Sequence, residues 1–530
     1  MRTNPGGLPV LLALVVAAKL LLGGPPARGE TTSPFSKTPW LQMPAPSTAV
    51  IMWESSLKVP GTVSWGSCGN LDQEFTDVRE RIVHSAERVA VTKATSWKTN
   101  TYYLYEATLS NLHPGSNYSY SVEFGGVATP QRDFKMLDPH APSTRFIVYG
   151  DSRTNPNKHR MLVDNFLAYS PEFILHTGDL AERGRDYPLW GREFFSPMSG
   201  VIDRVPIFPV IGNHEQDGAN YLNYFNLPGN ELWYSFDSGP VHFLALDFRQ
   251  EKGTQEQFKF ARKDLLASNA PWKIVFLHEP MFNIGGHASK WGHKDYLPLF
   301  QKARVDLVLA GHSHLYERFW PLVSKHQPGQ AITAIITGGG GAPLHRGFDH
   351  PALAARETTN HFMVFQVDEQ RLRGEARRIN GSVIDAFEIA KSGGRLSAEY
   401  LAHTYSQETL ELFHEFRMAG KVNKLPSSDG AAQLALQIPP RTRRKGAARI
   451  QFALAPESAK TYQLLSPEDA LITSGSSKAK EFSLQVMSVA GVKVSTNSDL
   501  TLTPPLVLQA TVSAAEGQTL VFSDPVKVSP

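Results

Sequence analysis

Phe146-Ile147-Val148-Tyr149-Gly150-Asp151 is a short apolar run that stops at a residue able to hold a metal, and the chain repeats this arrangement four more times. Phe173-Ile174-Leu175-His176-Thr177 ends at Gly178-Asp179. Ile207-Phe208-Pro209-Val210-Ile211 ends at Gly212-Asn213-His214-Glu215. Lys273-Ile274-Val275-Phe276-Leu277 ends at His278-Glu279-Pro280, and Leu307-Val308-Leu309-Ala310 ends at Gly311-His312-Ser313-His314. Such runs, apolar on both faces, predict strands of a sheet covered on both sides. Residues just past a strand end lie on loops that a rigid scaffold holds open to solvent. The pattern therefore aims Asp151, Asp179, Asn213, His278, His312 and His314 at one point.

Carboxylate, amide oxygen and imidazole without thiolate suit Mn, Fe or Zn and disfavour copper(I) and iron–sulfur clusters. A catalytic zinc takes three protein ligands, so this set is too large for one ion. It fits two ions about 3.5–4 Å apart that share a bridging carboxylate. A lone Gly-Asp or Gly-His pair is an ordinary turn signal; five run ends in order, each closing an apolar run with a residue able to hold a metal, are not.

With these residues in view, the chain resembles calcineurin-like metallophosphoesterases, and most nearly bacterial proteins similar to the purple acid phosphatases. The family pattern of Asp, Gly-Asp, Gly-Asn-His-Glu, His and Gly-x-His falls on Asp151, Asp179, Asn213-His214-Glu215, His278 and His312-Ser313-His314. The resemblance implies a four-layer α/β sandwich over residues 144–391 and hydrolysis of small phosphate esters. It implies a first metal held by Asp151, Asp179 and His314, and a second held by Asp179, Asn213, His278 and His312, with hydroxide between the ions as nucleophile. The ions would be divalent or trivalent Fe, Zn or Mn. His214 is implied as general acid or phosphate clamp, with His287 as a second group on that side. A phosphomonoesterase is the first expectation; a phosphodiesterase or nucleotidase on the same metals, or a non-enzymatic surface protein, are the alternatives.

Two departures from the family pattern matter. Arg153 stands two residues after the first Asp, where many relatives have His or Gly; a guanidinium cannot ligate a metal but can fork onto phosphate. Glu182 stands where purple acid phosphatases place a metal-binding Tyr, so no purple charge-transfer colour is expected. Gly178-Asp179-Leu180-Ala181-Glu182-Arg183-Gly184 instead resembles a protein Ser/Thr phosphatase motif. By that likeness Glu182 supports His214, the alternative being that it replaces the missing Tyr as a ligand of the first metal, and Arg183 is a further phosphate contact.

The 530 residues imply several domains. A net charge of +3 is too small to argue for a nucleic-acid partner. Residues 1–29 read as a secretory signal: Arg2, an apolar core from Leu8 to Leu22 interrupted by Lys19, then a Gly/Pro break. The expected location is therefore secreted or periplasmic, with no membrane span after signal removal. Cys68 is the single cysteine, which excludes an intramolecular disulfide.

Residues 31–136 read as an all-β sandwich. Leu112-His113-Pro114-Gly115-Ser116-Asn117-Tyr118 resembles the corner of fibronectin type III domains, which purple acid phosphatases carry in a similar form ahead of the catalytic part. Asp138–Pro142 reads as a linker. Helices are expected around Lys158–Tyr169 and Gln255–Ser268. Met363–Val367 and Val383–Ile389 are expected to close a second sheet. The Gly338–Gly341 run lacks the Gly-Lys-Ser/Thr of a phosphate loop and reads as tight packing near the site. Residues 396–420 read as a helical spacer, with a helix over Gln407–Ala419. Residues 432–530 read as a C-terminal β-sandwich without an assigned role.

Overall fold

The computed structural model describes residues 33–411, apart from 92, 93, 252, 254, 288, 328 and 409, and beyond them only backbone strands between Ala419 and Pro525. The signal-like residues 1–29 lie outside the described residues. No helix among the described residues is long and apolar enough to cross a membrane.

All five apolar runs form strands, but they divide between two sheets. Ser143–Tyr149, Phe173–His176 and Ile207–Pro209 run parallel in a seven-stranded sheet. Trp272–Leu277 and Leu307–Ala310 run parallel in a nine-stranded sheet, between Val241–Leu246 and Ala331–Thr337. The sheets meet face to face through phenylalanines. The Phe208 and Phe236 ring centroids lie 4.1 Å apart, and Phe243 sits 5.1 Å from Phe146 and 5.3 Å from Phe173. Each such ring, taken from water, contributes about 1.5–3 kcal/mol.

Alternation explains why the runs read as apolar throughout. In the second sheet Phe243, Ala245, Ile274, Phe276, Leu307 and Leu309 join the core between the sheets. Leu244, Leu246, Val275, Leu277, Val308 and Ala310 join a separate core with Leu265 and Phe300. Those last two residues come from the helices Glu256–Ala267 and Tyr296–Ala303. Successive side chains point to opposite faces, and here both faces are covered. On the far side Pro156–Val163 covers the first sheet, with Tyr149 Oη 2.9 Å from His159 Nε2. The order helix, sheet, sheet, helix is the four-layer arrangement that the resemblance implies.

One expectation is corrected. His361–Asp368 and Val383–Ser392 do not close the second sheet. His361–Asp368 pairs antiparallel with Ser143–Tyr149, and Arg371–Arg378 joins it to Val383–Ser392, so all three extend the first sheet. The apolar pattern of a strand does not record which partner it takes.

Ahead of this lie two antiparallel sheets. One has the order Lys37–Ala45, Thr48–Ser55, Ala94–Leu109, Arg79–Val91; the other is built on Gly61–Ser67 and Asn117–Phe124. Tyr118 Oη accepts from His113 N at 2.9 Å, which ties the corner that the sequence singles out. Asp138–Pro142 is held rather than loose, since Gly239 N donates to Asp138 O at 2.8 Å. The two parts interlock: Trp40 Nε1 donates to Tyr224 O at 3.0 Å, Tyr120 Oη to Asp203 O at 2.7 Å, and Arg88 N to Asp186 Oδ1 at 3.0 Å. Beyond Tyr405–Ser406, residues 407, 408, 410 and 411 are helical and Leu410 is buried. Residues 412–418 of the expected helix lie outside the described residues, and Ala419–Asn423 is a strand. The last strands form two four-stranded antiparallel sheets.

His242 gives a pH prediction for the second sheet. Its ring is held between Asp237 and Asp264, each 2.7 Å away. Burial opposes its charge, but the two carboxylates win and raise it to about 9. A raised folded-state value means a contribution complete below the unfolded value near 6.5 and lost as pH rises through 9. The stability difference between wild type and His242→Gln, read by urea denaturation, should be on the order of 2 kcal/mol at pH 6, after discounting the exposed Asp237 for screening. It should shrink towards pH 9.5; a pH-independent difference would contradict the charged assignment.

Candidate metal centre

The strand ends bring the sequence-derived ligands together. Asp151, Asp179 and His314 each offer a ligand atom within 4.8 Å of the others, and all three are buried. Beside them, Asn213 Oδ1 lies 2.9 Å from both His278 Nε2 and His312 Nδ1, and these two nitrogens are 3.2 Å apart. Asp179 reaches both groups: its Oδ1 is 3.4 Å from His278 Nε2, and it belongs to the Asp151–His314 set. This is the position a bridging carboxylate needs.

The backbone that aims these groups is strained. Asp151, Asp179 and His312 have φ of 57°, 61° and 65°, the left-handed region that side chains rarely adopt. Such outliers persist where surrounding structure over-determines them. Here the surroundings are glycines. A Cβ on Gly311 would lie 2.5 Å from Asp151 Oδ2. Gly340 N donates to Gly150 O at 2.8 Å, and Ala342 N to Asp151 O at 2.9 Å. The Gly338–Gly341 run thus packs against the first ligand loop, as the sequence implies.

The imidazoles are oriented by carbonyls. His278 Nδ1 lies 2.8 Å from Thr177 O, and His314 Nδ1 lies 2.6 Å from Pro343 O. Each contact needs an N–H, which places the proton on Nδ1 and aims the Nε2 lone pair inward. Inward of them stand more acceptors: Asn213 Oδ1, Asp179 Oδ1, and Asp151 Oδ1, which is buried without a hydrogen-bond partner. Acceptors facing acceptors in a site buried on the Asp151, Asp179, His278 and His314 side call for a cation, so the residues present fit a pair of metal ions. A proton competes for the same lone pairs. Burial works against charge on His278, but Asp179 and Asp151 hold it above the ordinary histidine value. His312 goes the other way, to about 2, through burial and then the neighbouring His278 and His287. Asp179 is disfavoured by burial, yet His278, His214 and Arg153 hold it ionised below its usual range.

The remaining sequence-derived residues are placed unequally. His214 donates its backbone N–H to Asp179 Oδ1 at 2.9 Å, and its Nε2 is 3.9 Å from Asp179 Oδ2. His287 stands on the rim, its ring 5.0 Å from that of His312. Arg153 is buried in the cluster: Nε donates to Asp179 Oδ2 at 3.2 Å, and Nη2 is 3.4 Å from His314 Nε2. Arg183 is paired with Asp186 at 2.9 Å and turned to the loop that meets Arg88.

Glu182 requires a correction. Its carboxylate does not hold the His214 ring; Oε1 is 4.0 Å from Nδ1. The Glu182 backbone carbonyl does, 2.6 Å from Nδ1. The carboxylate instead accepts from Arg153 Nη1 at 2.5 Å and from Thr154 Oγ1. A guanidinium carries a permanent charge, whereas the imidazole N–H is already satisfied by the nearer carbonyl.

Two further residues support the cluster in ways the sequence leaves unassigned. Glu215 is buried, and its carboxylate accepts from the backbone N–H of Gly212, Asp179 and Leu180 at 2.7, 2.9 and 2.8 Å. Burial and the Asp179 charge push its carboxyl up to about 7, against those N–H groups. It stitches the second and third ligand loops together. His345 accepts from His314 N at 3.0 Å, with its ring stacked 3.9 Å from that of His314. The Gly-Asn-His-Glu motif carries a signal for Glu215; His345 follows a glycine run and carries none.

Residues 138–316 match the calcineurin-like phosphoesterase family model. Human acid phosphatase type 7 is 31% identical over 255 residues, which cover 42% of this chain and 58% of that protein. Purple acid phosphatase 23 of Arabidopsis thaliana is 25% identical over 263 residues, 41% of this chain and 57% of its own length. The chain thus spans under two thirds of these relatives. Another Arabidopsis relative, 25% identical over 279 residues covering 41% of this chain and 42% of its own length, is named a probable inactive purple acid phosphatase. In structure, a purple acid phosphatase from yellow lupin seeds superposes with a TM-score of 0.57 at 21% identity, covering 69% of this chain and 75% of that one.

Proposed function

Because residues 138–316 form a calcineurin-like phosphoesterase domain homologous to the purple acid phosphatases, we propose that this chain is a dinuclear-metal phosphomonoesterase acting on small phosphate esters. The observation that carries the reading is the gathering of five side chains able to hold a metal, Asp151, Asn213, His278, His312 and His314, around Asp179, which reaches both groups.

In this reading Asp151, Asp179 and His314 hold one ion, and Asp179, Asn213, His278 and His312 the other. When bound, the ions would acidify water and neutralise phosphate charge. The chain's own residues do the rest. Thr177 and Pro343 carbonyls fix the His278 and His314 rings, so that no reorientation is needed on binding. The Glu182 carbonyl fixes His214 with Nε2 on the open side of Asp179. With one proton on Nδ1, a second ring proton taken up on Nε2 makes His214 the donor to a leaving alkoxide. His287 lines the same rim beside His312. Arg153 has a forked cation to offer a phosphate oxygen.

The same proposal covers what surrounds the site. The N-terminal sheets are read as a fibronectin III-like domain bracing the Arg183–Asp186 loop, and the C-terminal sheets as a β-sandwich. The chain is read as exported, and N-terminal sequencing of the secreted protein should find its start after about residue 22 and before Pro34.

Substrate class is tested by comparing p-nitrophenyl phosphate with bis(p-nitrophenyl) phosphate. The monoester should be favoured in kcat/KM by about 100-fold, equivalent to about 2.7 kcal/mol. Preference for the diester would make the chain a phosphodiesterase on the same residues. No turnover of either substrate with any divalent metal would place it beside the relatives named as inactive.

A further inference from the structure

Arg153 treats the two halves of the cluster differently. Two of its nitrogens face atoms of the Asp151/Asp179/His314 half: Nε donates to Asp179 Oδ2 at 3.2 Å, and Nη2 lies 3.4 Å from His314 Nε2. With the His314 proton on Nδ1, toward Pro343 O, that Nε2 lone pair is aimed at the guanidinium. In the other half, Asn213, His278 and His312 face one another at 2.9–3.2 Å, and among the described residues no Lys or Arg hydrogen-bonds to their side chains. A guanidinium cannot shed its proton to become a ligand. It can only withdraw, and the exit is built: Nη1 is already anchored 2.5 Å from Glu182 Oε2, beside Thr154.

We infer that Arg153 is an internal competitor for the first metal, so that the centre loads in order. The Asp179/Asn213/His278/His312 half takes its ion tightly. The Asp151/Asp179/His314 half takes its ion weakly, and only as Arg153 swings back onto Glu182. The inference rests on the dinuclear reading and adds an order to it. It also couples metal to substrate, because the displaced guanidinium becomes available to an incoming phosphate.

The test is equilibrium dialysis of metal-stripped full-length protein against Mn²⁺, with bound metal counted and no activity involved. Wild type should show two classes of site with Kd values at least about 30-fold apart. Arg153→Met should tighten the weak class by about tenfold or more while leaving the strong class within about twofold. Arg153→Lys, which keeps a charge there, should leave the weak class weak. Asp151→Asn should remove the weak class alone. Thermal melts check that each variant is folded, and Arg153→Gln is the second neutral variant if Met does not pack. Two equal sites in wild type, or an unchanged gap in the neutral variants, would overturn the inference and leave the dinuclear reading standing. A folded wild type that binds no Mn²⁺ or Zn²⁺ would sink the dinuclear reading itself.

Discussion

Asp179→Asn is expected to lower kcat on p-nitrophenyl phosphate by about a thousandfold or more, since a bridge worth several kcal/mol of charge stabilisation is lost. The physical reason is that Asp179 is the side chain in reach of both ligand groups. An amide can offer one oxygen but no charge, so two cations would face each other across a neutral group. Metal content should fall with activity, from two equivalents towards one. Fold stability should change far less, because the backbone N–H of Asp179 still donates to Glu215. A variant with two bound ions and near-normal turnover would remove Asp179 from the bridge.

The second large effect belongs to a residue that touches no substrate. Glu215→Ala should destabilise the protein by about 3 kcal/mol, because buried backbone donors lose their acceptor at about 1–3 kcal/mol each and relax only in part. The Gly212, Asp179 and Leu180 N–H groups all converge on that carboxylate. Metal affinity should weaken by about 10–100-fold, as for other groups that orient ligands. Urea denaturation of the metal-free variant separates the two effects. Unchanged stability with intact metal binding would show that the left-handed turn at Asp179 is held by other contacts.

The parts of the fold legible in sequence were those set by local pattern. Each apolar run is buried on both faces, so its length and end are written in composition, and the glycine before Asp151, Asp179, Asn213 and His312 marks the tight approach of a neighbouring loop. The division of the five runs between two sheets was not legible. Parallel strands covered on both sides read alike wherever they lie, and the pairing of Ser143–Tyr149 with His361–Asp368 spans most of the domain. The members of the cluster were legible because side-chain identity decides which strand ends could hold a metal. The surroundings of His214 were not, because the group that orients it is a backbone carbonyl, and any residue at position 182 supplies one. Arg153 was legible as a cation beside the first Asp; its pairing with Glu182 and its approach to His314 depend on rotamers that no motif records.

The central claim is that one cluster, buried at Asp151, Asp179, His278 and His314 and open at Asn213, holds two ions on a shared Asp179. Anomalous diffraction from crystals equilibrated in millimolar Mn²⁺ tests it most directly, at a concentration that fills a weak half as well as a strong one. The account predicts two peaks about 3.5–4 Å apart with the Asp179 carboxylate between them, one against Asp151 and His314, the other against Asn213, His278 and His312. A single peak, or two peaks that Asp179 does not join, would contradict it.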